Sequence, residues 1–523
     1  MALSRGRRSQ RSHRSNQGIN QLAKAPLVHP WAPVEALSPD QLDAVHEASI
    51  KILENLGISV LGSHAISLFE KHGAKVEQID GNEALVKLTR RMIEAAVASS
   101  PERFVLNAPN PANNIEIGGN QIHFGLVSGP PNVHDCINGR RVGNFADYQT
   151  LIKLGQFFNA IDFFGNQAIA PTDLPVGTRH LDTALCNLTL ADKPFLVTGI
   201  GAGRVLDAMQ LMAIYHGKQL DELRDFPCVM TNINVNSPRK LDDAMAYSAM
   251  QMAYYGQPVV VTPFTLMGAM TPATLPAALA QQNAEALFGV VLTQLVRPGA
   301  QVVYGGFTSN VDMRSGAPAF GTPENSLANI AGGQLARRYG LPYRTSACNA
   351  ANVVDAQAAY ETQMAMWGAT LGHGNLIYHA AGWLEGGLVA SFEKLVLDVE
   401  MIQHMKSMLA PRSFAAEEFG FDAMEEVGAG GHFFGCEHTM ARYQTAFYSP
   451  ILSDWQNHEN WVMAGEKTAT ERATALWQHA LAHYTPPSVS ADIFDAMNAY
   501  VAKRKAALGS DEPNFVPDFI PAG

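Results

Sequence analysis

The chain has 523 residues, 47% of them hydrophobic and 16% charged, a balance that can bury a large core and does not suit a disordered protein. Its 37 basic and 48 acidic side chains leave a formal charge of -11, which argues against a general nucleic-acid binder and against an anionic membrane surface as partner. Cys136, Cys186, Cys228, Cys348 and Cys436 are odd in number and form no CxxC pair, so neither a disulfide framework nor a zinc knuckle is indicated and a cytoplasmic location is expected.

Residues 1–34 contain no acid, and Arg5, Arg7, Arg8, Arg11 and Arg14 cluster among Ser, Gly and Gln. Such a composition cannot support a packed core. It is read as a disordered tail or a subunit-contacting arm, with a transit peptide or a nucleic-acid tail as other readings. An N-terminal region of helices and a hairpin is expected over 35–120. Its first helix opens on a capping box, Ser38 with Gln41, carries Leu42, Val45, Ile52, Leu53 and Leu56 on one face, and ends at Gly57. Helices around Ala65 to His72 and Arg90 to Ser99 follow, then a hairpin across Gly118 and Gly119.

From residue 121 one pattern recurs eight times: a short apolar strand, a loop rich in Gly, Pro, Asn and Thr, then a helix. The strands are placed near Ile122 to Leu126, Phe163 to Ala168, Phe195 to Thr198, Cys228 to Ile233, Val259 to Thr262, Gln301 to Gly305, Tyr343 to Ser346 and Leu376 to His379. The helices lie near Asp147 to Phe158, Thr178 to Ala191, Val205 to His216, Leu241 to Tyr255, Leu275 to Val296, Asn325 to Tyr339, Ala356 to Gly372 and Leu388 to Met408. Alternation of this kind calls for a parallel sheet covered by helices, and eight units match a closed barrel. The fold class is therefore α/β, a (β/α)8 TIM barrel over 121–410. Residues 244–284 lack Asp, Glu, Lys, Arg and His, but Pro258, Pro263, Pro272 and Pro276 break any membrane-spanning helix. Residues 411–523 read as a C-terminal cap over one barrel face with helices near Glu471 to His483 and Ile493 to Leu508.

In a barrel the residues just after each strand face one another across one mouth. Here these are Gln167, Asn232, Asn234, Phe264, Met267, Tyr304, Phe307, Cys348, His379, Trp383 and Glu385. The set is aromatic and amide-rich, with no cluster of ligands for a metal. Ring faces attract a quaternary ammonium that cannot donate hydrogen bonds; the alternative is that Phe264, Tyr304 and Phe307 are ordinary packing. His379 is either a site residue or a hydrogen-bonded barrel histidine, and Glu385 either a site carboxylate or a helix cap. The run Gly199, Gly201, Gly203 lacks the spacing of a dinucleotide fingerprint, and no P-loop, HExxH or GxSxG occurs.

Four segments, DAQAAYET from Asp355, NLIYHAAGWLEGGLVASFEKLVLDVEMI from Asn375, GAGGHFFGCEHT from Gly428 and YSPILSDWQNHENW from Tyr448, together with the Arg-rich start, resemble the trimethylamine methyltransferase family, corrinoid-dependent enzymes built on a TIM barrel. The resemblance implies transfer of a methyl group from a methylated amine to Co(I) of a separate corrinoid protein docked on the barrel mouth, with the cobalamin on that partner and none bound tightly here. Founding members carry pyrrolysine; this sequence shows only the twenty standard residues, which points away from trimethylamine toward a quaternary amine. Glycine betaine is expected first, with proline betaine and carnitine behind. His379 and Glu385 are the catalytic candidates, and Trp383, Phe264, Tyr304, Phe307, Asn232, Arg314 and Arg344 the substrate-binding ones, with no metal. A homo-oligomer is expected, with no nucleic-acid or membrane partner. The competing readings are a betaine-binding sensor without turnover and a tetrahydrofolate-dependent demethylase, the latter kept open by Asn232 and Asn234.

Overall fold

The computed structural model describes residues 18–508 apart from Asn166. Eight parallel strands close on themselves: β1 (Gln121–Leu126), β2 (163–164), β3 (Leu196–Val197), β4 (Met230–Ile233), β5 (Val259–Val261), β6 (Val302–Gly305), β7 (Tyr343–Ser346) and β8 (Leu376–Ala381). β8 returns to pair with β1, and β2 is tied in by single bridges, Gly125 to Phe163 and Phe164 to Phe195. The helices are α1 (Phe145–Phe157), α2 (Arg179–Leu190), α3 (Ala202–Tyr215), α4 (Asp243–Tyr254), α5 (Leu275–Val296), α6 (Pro323–Arg338), α7 (Ala356–Leu371) and α8 (Phe392–Met408). The barrel expected from the eightfold alternation is present, with α5 matching its predicted ends. α8 begins four residues later than predicted, because Val389–Ser391 is instead a strand laid parallel to Asn132–Asp135 beside the mouth.

The period of two along each strand separates two cores. Val259, Val261, Val302 and Tyr304 face the helices and join the large outer core. Phe163, Leu196, Met230, Val260, Val303, Leu376 and Tyr378 face inward and form a second cluster with Phe104, Leu106, Ile115 and Ile117. Those last four belong to an antiparallel hairpin, Arg103–Leu106 with Ile115–Gly118, that plugs the N-terminal end of the barrel. The hairpin expected across Gly118 and Gly119 is thus displaced by one strand, and these glycines make the corner into β1. Gly118 has φ 125°, and a Cβ there would fall 2.3 Å from the Glu102 carbonyl oxygen, so the corner demands glycine.

The first helix, Pro39–Lys51, has the predicted reciprocal capping box between Ser38 and Gln41 and runs through a π-turn to Gly57. Ahead of it, Leu27–Val28 pairs antiparallel with β1, and His29 stacks on His373 at 4.0 Å between ring centroids. The arginine cluster between Arg5 and Arg14 lies outside the described residues. At the other terminus, Ala469–Ala482 packs on α8 and α1 through Ala473, Trp477 and Ala480, and Ala491–Leu508 packs on α2 and α3. These two helices therefore lie along the barrel's flank, and among the described residues none of 411–508 lines the mouth cavity. The apolar stripes of Ala469–Ala482 and Ala491–Leu508 are taken up by the outer faces of barrel helices. No helix among the described residues is long and apolar enough to cross a membrane.

Candidate functional site

Above the inner apolar layer, at the C-terminal end of the strands, lies a cavity of about 370 Å³, of the size that small-molecule sites occupy. Two residues beyond inward-facing Met230, the same alternation aims Asn232 into this space, and Thr262 follows Val260 on β5 in the same way. The chain then builds a second tier. Phe264–Met267 and Phe307–Val311 run parallel just past β5 and β6, setting Phe264 opposite Phe307 with ring centroids 5.0 Å apart. Pro318–Ala319 returns antiparallel to this pair and delivers Phe320, stacked on Phe307 at 5.3 Å. Trp383 stands edge-on to both Phe307 and Phe320, each at 6.3 Å. Four ring systems thus wall one side of the cavity.

Arg344 is buried on β7, in register with Gly305, which offers no side chain to compete for the space. Its guanidinium lies over the rings of Tyr378 (4.2 Å) and Phe307 (5.1 Å) and donates from Nη1 to the Gly306 carbonyl. Its Nε is buried without a hydrogen-bond partner. Burial, the largest cause, lowers its pKa to about 10, and the groups that oppose this are Tyr378, Cys348 and Tyr343, with no carboxylate among them. A buried cation lacking a counter-ion is costly, and this one borders a cavity.

His379 sits at a register shift between β8 and β1, with φ 56°, and such bulges re-aim a side chain. Its ring lies 4.2 Å from that of Trp383, and Arg344 Nη2 approaches Nε2 at 3.4 Å. A guanidinium only donates, so Nε2 accepts and the proton resides on Nδ1, which is buried and unpartnered. Burial first, and Arg344 second, push its pKa well below the ordinary histidine value, so the ring is neutral. Asn232 donates from Nδ2 to Asn234 Oδ1 at 3.2 Å, leaving Oδ1 buried and unpartnered.

Of the residues singled out from sequence, Asn232, Phe264, Phe307, Arg344, His379 and Trp383 meet around the cavity. Tyr304 does not. It occupies the outward position between Val303 and Gly305, and its hydroxyl donates to Asn283 of α5 at 3.0 Å. Arg314 lies on the exposed turn between Phe307–Val311 and Pro318–Ala319, away from the cavity. Glu385 is held at the rim by Arg140 in a bidentate pair, with Nε at 2.9 Å and Nη2 at 3.0 Å from its oxygens, and does not line the cavity. Phe320 and Tyr378 went unnoticed in the sequence. Tyr378 was legible as the inward neighbour of Leu376 by period two; Phe320, far beyond its strand top, carried no such signal. Among the described residues no group of three or more His, Cys, Asp or Glu could hold a metal. The arrangement can hold an unsolvated cation against ring faces and an anion against the Arg344 guanidinium, that is, a zwitterion.

Residues 3–509 match the family described as trimethylamine methyltransferase (MTTB). A glycine betaine methyltransferase of Desulfitobacterium hafniense (strain Y51) is 36% identical over 477 residues, 91% of this chain and 98% of that protein. A trimethylamine methyltransferase MttB of Desulfitobacterium hafniense (strain DSM 10664 / DCB-2) is 28% identical over 476 residues, 90% of this chain and 94% of that protein. Among solved structures, the hydroxylamine MtmB complex has a TM-score of 0.50 at 11% identity, over 85% of this chain and 87% of that one; the likeness is one of fold.

Proposed function

This chain belongs to the trimethylamine methyltransferase family and is a methyltransferase; we propose that its methyl donor is a quaternary ammonium zwitterion, glycine betaine first, and its acceptor the corrinoid of a separate protein docked at the barrel mouth. The observation that carries this reading is Arg344, buried, without a carboxylate partner, and beside four aromatic ring systems. A substrate carboxylate would supply the missing counter-ion, while Phe264, Phe307, Phe320 and Trp383 would face the N-methyl groups. Trimethylamine has no carboxylate to offer.

A quaternary nitrogen leaves as a neutral tertiary amine, keeping the electron pair of the broken C–N bond, so the step needs no proton donor. The site is consistent with that: His379 is kept neutral by burial, and Glu385 is tied to Arg140. We assign His379 to orienting Arg344 and Glu385 to fixing the rim. A corrinoid on the docked partner would supply a Co(I) nucleophile; this chain would orient the methyl group and keep water from the cation. Ile137, Val176, Ile200, Met313, Val353 and Leu388, on the loops after the strands, are exposed apolar side chains that would suit a docked protein. The five unpaired cysteines agree with action in the cytoplasm.

The test is a calorimetric titration with glycine betaine, proline betaine, carnitine and trimethylamine, followed by methylation of a Co(I) corrinoid protein with whichever binds. Zwitterion binding with methyl transfer is expected. Tighter binding of trimethylamine than of any zwitterion would overturn the substrate assignment, and binding without transfer would favour a sensor.

A further inference from the structure

Hydrogen-bond donors and acceptors stand on opposite sides of the mouth cavity. Arg344 on β7 and His379 on β8 bring donors, since a guanidinium only donates and the His379 Nε2 is already approached by Arg344. Across the barrel, β4 and the end of β5 bring oxygens. Asn232 Oδ1 and Thr262 Oγ1 are both buried and, among the described residues, both lack a hydrogen-bond partner. The two strands are tied at this level by the Thr262 amide, which donates to the Ile233 carbonyl at 2.8 Å, and Phe264 of the ring wall follows Thr262 by two residues. Asn232 Nδ2 is engaged by Asn234 Oδ1 at 3.2 Å, so the carboxamide oxygen is the end left over, and a cation in the cavity favours that same orientation.

A quaternary ammonium has no N–H and pairs neither oxygen. Buried acceptors left unpaired are costly, so a ligand carrying one donor on its nitrogen is the better match to this side of the cavity. Resting on the reading of the substrate as a quaternary ammonium zwitterion, we propose that Asn232 is the residue that recognises the demethylated product: its Oδ1 accepts the N–H of the resulting tertiary ammonium zwitterion, and the site holds product at least as tightly as substrate.

The chemistry supplies that donor. When the C–N bond breaks, its electron pair stays on nitrogen, and the methyl group is taken by the two-electron Co(I) nucleophile of the partner. The tertiary amine left behind is an aliphatic amine with a pKa of about 10, like that of lysine, and it takes one proton from water. None of the described residues lining the cavity is a carboxylic acid that could provide it, and Glu385 is tied to Arg140 at the rim. The protonated nitrogen then carries a hydrogen where the substrate carried a methyl. A charge-assisted N–H···O bond to Asn232 replaces one methyl contact, while the carboxylate keeps Arg344 and two methyl groups keep the rings. Tertiary ammonium zwitterions are therefore competitive inhibitors of this chain.

Calorimetric titration of the full chain with two isosteric pairs tests this: glycine betaine against 3,3-dimethylbutyrate, and N,N-dimethylglycine against 3-methylbutyrate, each pair exchanging nitrogen for carbon. Dimethylglycine is expected to bind at least as tightly as betaine, and the gain from carbon to nitrogen to be at least as large in its pair as in the betaine pair. A smaller gain means that the N–H gave up its water and found no acceptor, which overturns the proposal. Asn232→Leu, close in shape but without the oxygen, then assigns the acceptor: the ratio of dimethylglycine to betaine affinity should fall at least ~10-fold, and an unchanged ratio overturns the role of Asn232. Should that variant not fold, the isostere comparison on the wild type decides. Failure of betaine itself to bind overturns the substrate reading and this inference with it, whereas betaine binding with an unchanged ratio overturns this inference alone.

Discussion

Asn349 grips Trp383 at both ends. Its Nδ2 donates to the Trp383 carbonyl at 2.6 Å, and its own carbonyl accepts from the indole Nε1 at 3.2 Å. The same Nδ2 reaches Thr362 Oγ1, to which Lys394 Nζ also donates; Lys394 pairs with Asp398, and Asp398 accepts from the Gly382 amide. Lys394, Asp398, Thr362 and Asn349 are fully buried, so the ring that faces the cavity is set by a network that never touches the ligand.

Asn349→Ala should therefore lower zwitterion affinity by about 1–2 kcal/mol, the worth of a lost buried hydrogen-bond pair, and red-shift the fluorescence of Trp383. In a double-mutant cycle with Trp383→Ala the two effects should fall short of additive. Additive losses would show that Asn349 acts elsewhere.

Phe320→Ala and Trp383→Ala should each weaken glycine betaine by about 1–2 kcal/mol, as expected for a desolvated cation losing one ring face. The uncharged isostere 3,3-dimethylbutyrate separates this from mere packing: its binding should be weaker than that of betaine in the wild type, and the gap should narrow in both variants.

Arg344→Met should cost betaine about 2–3 kcal/mol, the worth of a charge-assisted hydrogen bond, yet leave tetramethylammonium nearly unaffected. Without ligand the same variant should melt higher than the wild type, since it removes a buried cation that lacks a counter-ion. A lower melting temperature would mean that the guanidinium's contacts with Phe307 and Tyr378 outweigh its desolvation.

Glu285, inside α5, accepts from the Arg239 amide at 2.8 Å and from Gln281 Nε2 at 2.9 Å, and burial raises its pKa from 4.5 to about 7. The folded chain keeps a proton that the unfolded chain releases, so the folded state is favoured below the lower value and loses stability as pH rises through the higher one. The loss is on the order of 3 kcal/mol. Glu285→Gln should raise the melting temperature near pH 8 and change it little near pH 5.

The barrel was legible because its strands are short apolar runs and its helices have caps and breakers in the right places. What failed in the sequence reading failed for local reasons. Tyr304 was placed in the mouth because it ends an apolar run, but a shift of one residue along a strand reverses the face, and Val303 and Gly305 hold the inward positions. Arg314 and Phe320 belong to one loop after β6, yet only the structure shows that the loop turns back as a strand, which leaves Arg314 at the exposed turn and returns Phe320 to the cavity. Glu385 looked reactive from its neighbours in sequence; its partner, Arg140, is 245 residues away.

The hairpin plug has a kinetic consequence. With Phe104, Leu106, Ile115 and Ile117 filling the barrel below the cavity, the described residues leave the site open toward the mouth, the face on which the proposed methyl acceptor would dock. With the acceptor docked there, amine and acceptor would not arrive in either order: the amine would enter first, and its demethylated product would depart only after the acceptor protein had lifted away. Initial rates should then follow a compulsory sequence, with excess acceptor protein inhibiting competitively against the amine.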